Sequence, residues 1–504
     1  MKKRFSFKLF TMALAIIIVM VPLLTVFANA KGEESVPIVD IHGLMASDIY
    51  VDPSDPDSEL AWPPSTDAIL DAVKEAVPSI AKFAVTRNWD MFGDDVCAIT
   101  TELFKPIYCQ PDGTPGKSGV RFTYPEASSI KKNSVVSFKY DWRIDPIVVA
   151  GQLNDFIDYV LKCSGSDTVK ISCHSLGGVI TNTYLTIYGH EKVSGVCFNS
   201  TAIFGQTYVG ELMTAQVVLD GQALKQFLEY VLDYNEYNHL ISGAMDILQQ
   251  AGLFDFVCSL GNTIVDHILI QASREVLAPM FGGWLSIWAM TRDEDIATAQ
   301  DFFFNNLNDG IDYTQLQAKI NNFNNIIRPH KVENLKKLNE TASVYVISRY
   351  NYPSIPITPS FFVNSDGVVD VHSTSFGGTA VSYGEKLSDE YIVGKDAKYI
   401  SPDKTIDAST CMFPEQTWFI RNMQHANNPD SLDSMMYQLL RYDGQATVST
   451  FEEYPRFCKY DSHNDVISPE IESPHPMTFC YKLELIIKEF IALVKMLVEK
   501  IAAK

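Results

Sequence analysis

Thr168-Val169-Lys170-Ile171-Ser172-Cys173-His174-Ser175-Leu176-Gly177-Gly178 decides the fold. It reads as a buried strand, a tight turn with Ser175 at the apex, and a helix that opens on glycines. Small residues two before and two after the serine let strand and helix approach closely, and the strained turn holds the hydroxyl out of the sheet. Cys173 takes the first small position, where glycine is usual. Cysteine is small and favours burial, so the turn can accommodate it.

Outward from this turn, strand and helix patterns alternate. Val36 to Gly43 is a short apolar strand running into a His-Gly turn, and residues 44–66 are loop. Residues 67–85 have helical periodicity, and Gly119–Tyr124 and Ser134–Tyr140 read as strands. Ile147–Cys163 is an amphipathic helix with Val148, Leu153, Ile157 and Val160 on one side. A helix over 176–189 and a strand over Val193–Ser200 follow. Such alternation predicts a mainly parallel sheet covered by helices on both faces.

A serine hydroxyl is a weak nucleophile at neutral pH. It needs a base, a carboxylate to orient that base, and donors for the developing oxyanion. With a serine on a strand-turn-helix elbow, the expected class is α/β, an α/β-hydrolase fold, whose chain order is Ser, then Asp or Glu, then His. The expected acid is Asp366, in Asn364-Ser365-Asp366-Gly367-Val368-Val369, where Asp-Gly makes a tight turn; Asp370 is the second choice. Bases downstream are His372, His425, His463 and His475. His425 follows the strand-like Thr417–Ile420 and precedes a helix over Ser431–Leu440, so it is expected to be the base. Backbone N–H groups of Leu176 and of Leu44 or Met45, after the His42-Gly43 turn, are expected to form the oxyanion hole. His42 is expected to be structural, and His174 to be buried and hydrogen-bonded rather than the base.

The stretch Val135 to Arg143, the His-Ser-Leu-Gly-Gly elbow and Ser365 to Val369 occur in this order. Together they resemble the lecithin:cholesterol acyltransferase-like branch of the lipases, and Tyr140-Asp141-Trp142-Arg143 is the discriminating motif. The resemblance covers roughly residues 36–200 and, more weakly, 340–440. It implies that Tyr140, Asp141, Trp142 and Arg143 are scaffold and pocket-wall residues, with Gly43 and His42 beside them. It also implies action on carboxylic esters of lipid type, by hydrolysis or by acyl transfer to an alcohol. This chain departs from the branch at Cys173, Ser365 and Val368, and residues 44–110 lack its recognisable lid.

The organisation expected along the chain starts with a signal peptide at 1–30, whose four basic residues precede an apolar run ending in Ala28-Asn29-Ala30. Hydrolase core follows at 31–204, a helical cap at 205–340, core again at 341–442, an irregular segment at 443–480 and an amphipathic helix at 481–504. The cap aromatics Phe254, Phe256, Trp284 and Trp288 are expected to favour an apolar acyl group. The terminal helix reads equally as one docked on the domain and as a membrane or partner contact. Secretion or display at the cell surface follows from the signal. The formal charge of −21 excludes nucleic acid as a partner attracted by charge. Nine cysteines without C-x-x-C spacing give no structural metal site, and no cofactor is expected. Cys97 and Cys109 are spaced to bridge a loop, whereas Cys163, Cys173 and Cys197 read as buried thiols. A non-catalytic surface or membrane-binding protein with a hydrolase fold is the remaining alternative.

Overall fold

Eight strands form the central sheet of the computed structural model, which describes residues 36–231, 238–307, 310–471 and 488. They are β1 (Ile38–Ile41), β2 (Val135–Phe138), β3 (Val169–His174), β4 (Val193–Asn199), β5 (Ser343–Tyr350), β6 (Thr417–Arg421), β7 (Phe457–Asp461) and β8 (Val466–Pro469). Their spatial order is β2-β1-β3-β4-β5-β6-β7-β8. Every pairing is parallel except β7 with β8. The fold is α/β, a mainly parallel sheet flanked by helices.

The central strands are apolar on both faces, as a covered parallel sheet requires. In β5, Val344 through Tyr350 are all buried. Downstream of α1 (Thr66–Thr86) and α2 (Trp89–Phe104), two helices set the layers beside the elbow. The first, α3 (Pro146–Ser164), starts with an Asp145 cap and Pro146, and ends at Gly165 with φ 68°. The second, α4 (Leu176–Tyr188), is buried continuously from Leu176 to Leu185. On α3 the buried stripe is Val149, Leu153, Phe156, Ile157 and Val160. Val148, expected on that side, is 51% exposed, because it lies one position, about 100°, off the stripe. The strand expected at Gly119–Tyr124 reduces to one bridge, Tyr50 to Gly119.

Between β4 and β5 the chain is helical, as expected for an insertion, but it serves two layers. Helices at Gly221–Val231, Asn238–Gln250 and Leu253–Ala272 pack on one another, and Leu253–Ala272 also meets the upstream helix Trp89–Phe104. The helices at Leu285–Met290 and Lys331–Thr341 instead pack against α4, and the second also touches β5. Trp284 and Trp288 therefore belong to the core and Phe254 is also buried, whereas Phe256 is 67% exposed. Of the four aromatics expected to favour an apolar acyl group, only Phe256 is exposed. Leu253–Gly282 is long and apolar enough to cross a membrane by length and composition, and 17% of its apolar window is buried.

The segment expected to be irregular, 443–480, contributes β7 and β8 to the sheet edge. Cys97 and Cys109 are both buried free thiols, so the bridge expected between them is absent. The expected signal at 1–30 and the helix at 481–504, apart from residue 488, lie outside the described residues.

Candidate active site

The carboxyl ends of β1, β3, β5 and β6 open toward one edge of the sheet, where open α/β sheets bind ligands. β3 ends at His174 and α4 begins at Leu176, so Ser175 alone makes the turn. Its φ of 55° and ψ of −121° are a strained geometry for a residue with a side chain. Its N–H donates to the Asn199 carbonyl at 3.2 Å, and its own carbonyl accepts from Gly178 and Ala202. The packing behind the turn explains the glycines. A Cβ on Gly177 would stand 2.3 Å from the Ile41 carbonyl oxygen, and one on Gly178 would stand 2.4 Å from the Thr201 Cβ. Cys173 is buried, and its thiol donates to the Cys197 carbonyl at 3.5 Å. Cysteine thus fits the first small position with the strained serine geometry retained.

Asp366 and His425 lie 59 residues apart in sequence and meet in space. His425 Nδ1 is 2.7 Å from Asp366 Oδ2, and its N–H donates to the Asp366 carbonyl at 2.9 Å. Asp366 Oδ1 accepts from the Val368 and Val369 N–H groups at 3.0 and 2.8 Å, which is the Asp-Gly turn at work. Gly367, with φ 96°, supplies the left-handed residue of that turn. Burial alone would raise the Asp366 pKa. The His425 charge and hydrogen bond, the Val369 N–H and the Arg349 charge together outweigh burial and hold it below the usual carboxylate value. An ionised carboxylate only accepts, so Nδ1 carries the proton and Nε2 is left as the acceptor.

The other candidates separate cleanly. Asp370 caps the turn of helix at 371–374 and accepts from Thr207, away from His425. His372 and His463 are exposed, and His475 lies outside the described residues. His174 packs its ring 4.6 Å from that of His425. It is buried and hydrogen-bonded to the His425 backbone, as expected, while its Nε2 is enclosed without a partner. Burial first, then the charges of His425 and Arg349, push its pKa well down, so it stays neutral.

The loop after β1 abuts the serine. A Cβ on Gly43 would lie 2.8 Å from the Ser175 Cβ, so only glycine lets this loop come so close. Met45 follows with φ 64°, and its carbonyl accepts from the Trp62 indole. The Leu176 N–H lies in the first turn of α4, where no intrahelical acceptor exists. The close approach of Gly43 thus brings the loop that continues into Leu44 and Met45 against the Ser175 turn, and Leu176 follows the serine directly. The Tyr140–Arg143 stretch braces this loop. Tyr140 donates to the His42 carbonyl at 2.7 Å, and the Trp142 indole donates to the Ser47 carbonyl at 2.9 Å. Arg143 pairs with Asp141 and also donates to Ile107 and Ser118. His42 lies 2.9 Å from the Ser137 hydroxyl and 3.4 Å from Asp40, which is a structural role.

Sequence reasoning missed Arg349 and Asn199. Arg349 is fully buried on β5, and its guanidinium donates to the loop that carries His425. An arginine within an apolar strand was the available signal. A cavity of about 600 Å³ opens nearby between Phe204, Thr207, Arg292, Lys331, Asp370 and His372. Neither Ser175 nor His425 lines it. Among the described residues no cluster of His, Cys, Asp and Glu could hold a metal ion.

No family model matches the chain, and no curated protein matches it. Among solved structures, the crystal structure of the Tle4–Tli4 complex is similar at 15% identity, with a TM-score of 0.20. The likeness covers 35% of this chain and 48% of that one, so this chain spans about half of its length. A likeness that partial carries no argument about function.

Proposed function

We propose that the protein is a serine hydrolase acting on carboxylic esters, with Ser175 as nucleophile, His425 as general base and Asp366 as its orienting carboxylate. The observation that carries this reading is the 2.7 Å Asp366–His425 pair, whose imidazole packs 4.6 Å from the ring of His174, the residue before a serine held at φ 55° on a strand-helix elbow. Ser175 Oγ attacks the ester carbonyl while His425 Nε2 takes its proton. Backbone N–H groups of Leu176 and of the Leu44–Met45 turn receive the oxyanion. The intermediate collapses to an acyl-serine, and the imidazolium returns the proton to the departing alcohol. Water, deprotonated by the same imidazole, then releases the acid and frees Ser175.

An acyl group of lipid type fits the exposed apolar side chains on the cap helices, among them Phe256, Val257 and Leu260. The resemblance at Tyr140–Arg143 supports the same substrate class. Acyl transfer is the second reading that the resemblance carries, since an alcohol that reaches the acyl-serine in place of water would take the acyl group. A panel of p-nitrophenyl esters of rising acyl length tests hydrolysis. Ser175→Ala should lose about 10⁴-fold or more in kcat. Turnover surviving that change would reject the mechanism. Adding a long-chain alcohol and measuring new ester separates transfer from hydrolysis.

A further inference from the structure

Arg349 is a fully buried charge beside this site that the mechanism does not use. It stands in the middle of the sheet, on β5, opposite Ile420 of β6. The side chain has no measurable exposure, and no carboxylate forms an ion pair with it among the described residues. Its donors go to neutral oxygens instead. Nη1 faces the carbonyls of Gln424 at 2.8 Å, His425 at 3.0 Å and Asn427 at 2.7 Å. Nη2 donates to the Asn428 side chain at 2.7 Å, and Nε to the Asn199 side chain at 3.1 Å. Asn199 is also the residue whose carbonyl accepts the Ser175 N–H. One guanidinium therefore joins the end of the strand that supports the nucleophile turn to four positions around the base, at 424, 425, 427 and 428. Taking a charge out of water without a carboxylate partner is costly, and a planar fork of five donors is the group suited to pinning several carbonyls at once.

We propose that Arg349 is a positioning residue: it fixes the loop of His425 relative to the Ser175 turn. The inference rests on the reading of Ser175, Asp366 and His425 given above. The groups that face this charge are Asp366 from the acid turn and Asp433 from the helix Asp430–Arg441. Those facing the acid-base pair are His174 and Arg349 itself. Arg349 acts on the pair from outside, through carbonyls and field, and touches no reacting atom.

The test compares Arg349→Met, Arg349→Lys and Asn428→Ala in the full-length protein. Each is measured for ester turnover, rate of labelling by a fluorophosphonate, pH profile and thermal melting. Arg349→Met should lower kcat and the labelling rate about 100-fold with KM little changed, since a base displaced by about 1 Å costs that much. Its acid limb should move to higher pH, because Asp366 loses a cation. Arg349→Lys keeps the charge but not the fork, so it should lose activity while its acid limb stays with wild type. Asn428→Ala, which removes one acceptor and no charge, should lower kcat by a smaller factor at unchanged KM. If Arg349→Met fails to fold, Arg349→Lys and Asn428→Ala decide. Variants that melt earlier yet keep wild-type kcat and pH profile per folded molecule would overturn the positioning role alone. A wild type that neither turns over esters nor labels at Ser175 would overturn the catalytic reading, and the positioning role with it.

Discussion

At the residue scale, Asp366→Asn tests the Asp366–His425 pair. An amide can present an N–H to Nδ1 and favour the wrong tautomer, so kcat should fall about 10⁴-fold with little change in fold, read by ester turnover and circular dichroism. Stability should respond as well. The Asp366 pKa is lowered in the folded state, so its contribution is present above the unfolded value of about 3.9 and is lost as pH falls through the lower folded value. Urea unfolding should therefore show wild type above Asp366→Asn at neutral pH, with the gap closing toward about pH 2. The meeting of Asp366 with His425 was legible because the serine elbow sets the chain order of what must follow, and Asp-Gly before two valines makes a turn that aims a carboxylate. Arg349 and Asn199 were not legible, because their roles exist only as contacts between segments about 75 and 150 residues apart in sequence.

At the scale of elements, strands and helices were readable where burial imposes a period. The helices at 146–164 and 176–188 and the strands at 169–174 and 193–199 fall within a residue or two of their expected bounds. The misread strand at Gly119–Tyr124 is apolar and aromatic in composition, but its only ladder partner is Tyr50, and composition does not reveal a missing neighbour. The elbow itself gives two opposed predictions. Gly177→Ala drives a Cβ against the Ile41 carbonyl, a backbone atom that cannot swing aside, so it should cost about 1–3 kcal/mol and most of the activity. Cys173→Gly removes a buried thiol that donates to Cys197 and leaves the Ser175 turn unobstructed. It should cost about 1 kcal/mol while kcat stays near wild type. Melting temperature and ester turnover on both variants check the pair. A large loss of kcat in Cys173→Gly would mean that the cysteine itself aims the serine.

For the whole molecule, the helical stretch between β4 and β5 was legible from the break in alternation, but the last two strands were not. β8 forms the edge of the sheet with only Ile467 buried, and β7 beside it buries Phe457, Cys458 and Tyr460 around an exposed Lys459, so the sequence there carries no continuous apolar run. Polar contacts fasten this edge. Tyr350 on β5 donates to Glu470 at 2.6 Å, just past β8, and Arg421 at the end of β6 lies 3.1 Å from Glu470 and 3.3 Å from Asp403. Burial of Glu470 raises its pKa most, and Asp403 adds to the rise, while the Tyr350 hydrogen bond and Arg421 oppose it; the balance is upward. The folded chain thus holds this proton at a pH where the unfolded chain, with a value of about 4.3, has released it. The stability that Glu470 contributes is then fullest below that unfolded value and is lost as pH rises through the folded value. Glu470→Gln keeps the acceptor for Tyr350 and removes the charge whose ionised form the fold disfavours. Thermal melts should place Glu470→Gln above wild type at pH 8, with the difference shrinking toward pH 4. A variant that melts below wild type at pH 8 would mean that the Arg421 pairing outweighs burial, and that the edge of the sheet is held by charge rather than despite it.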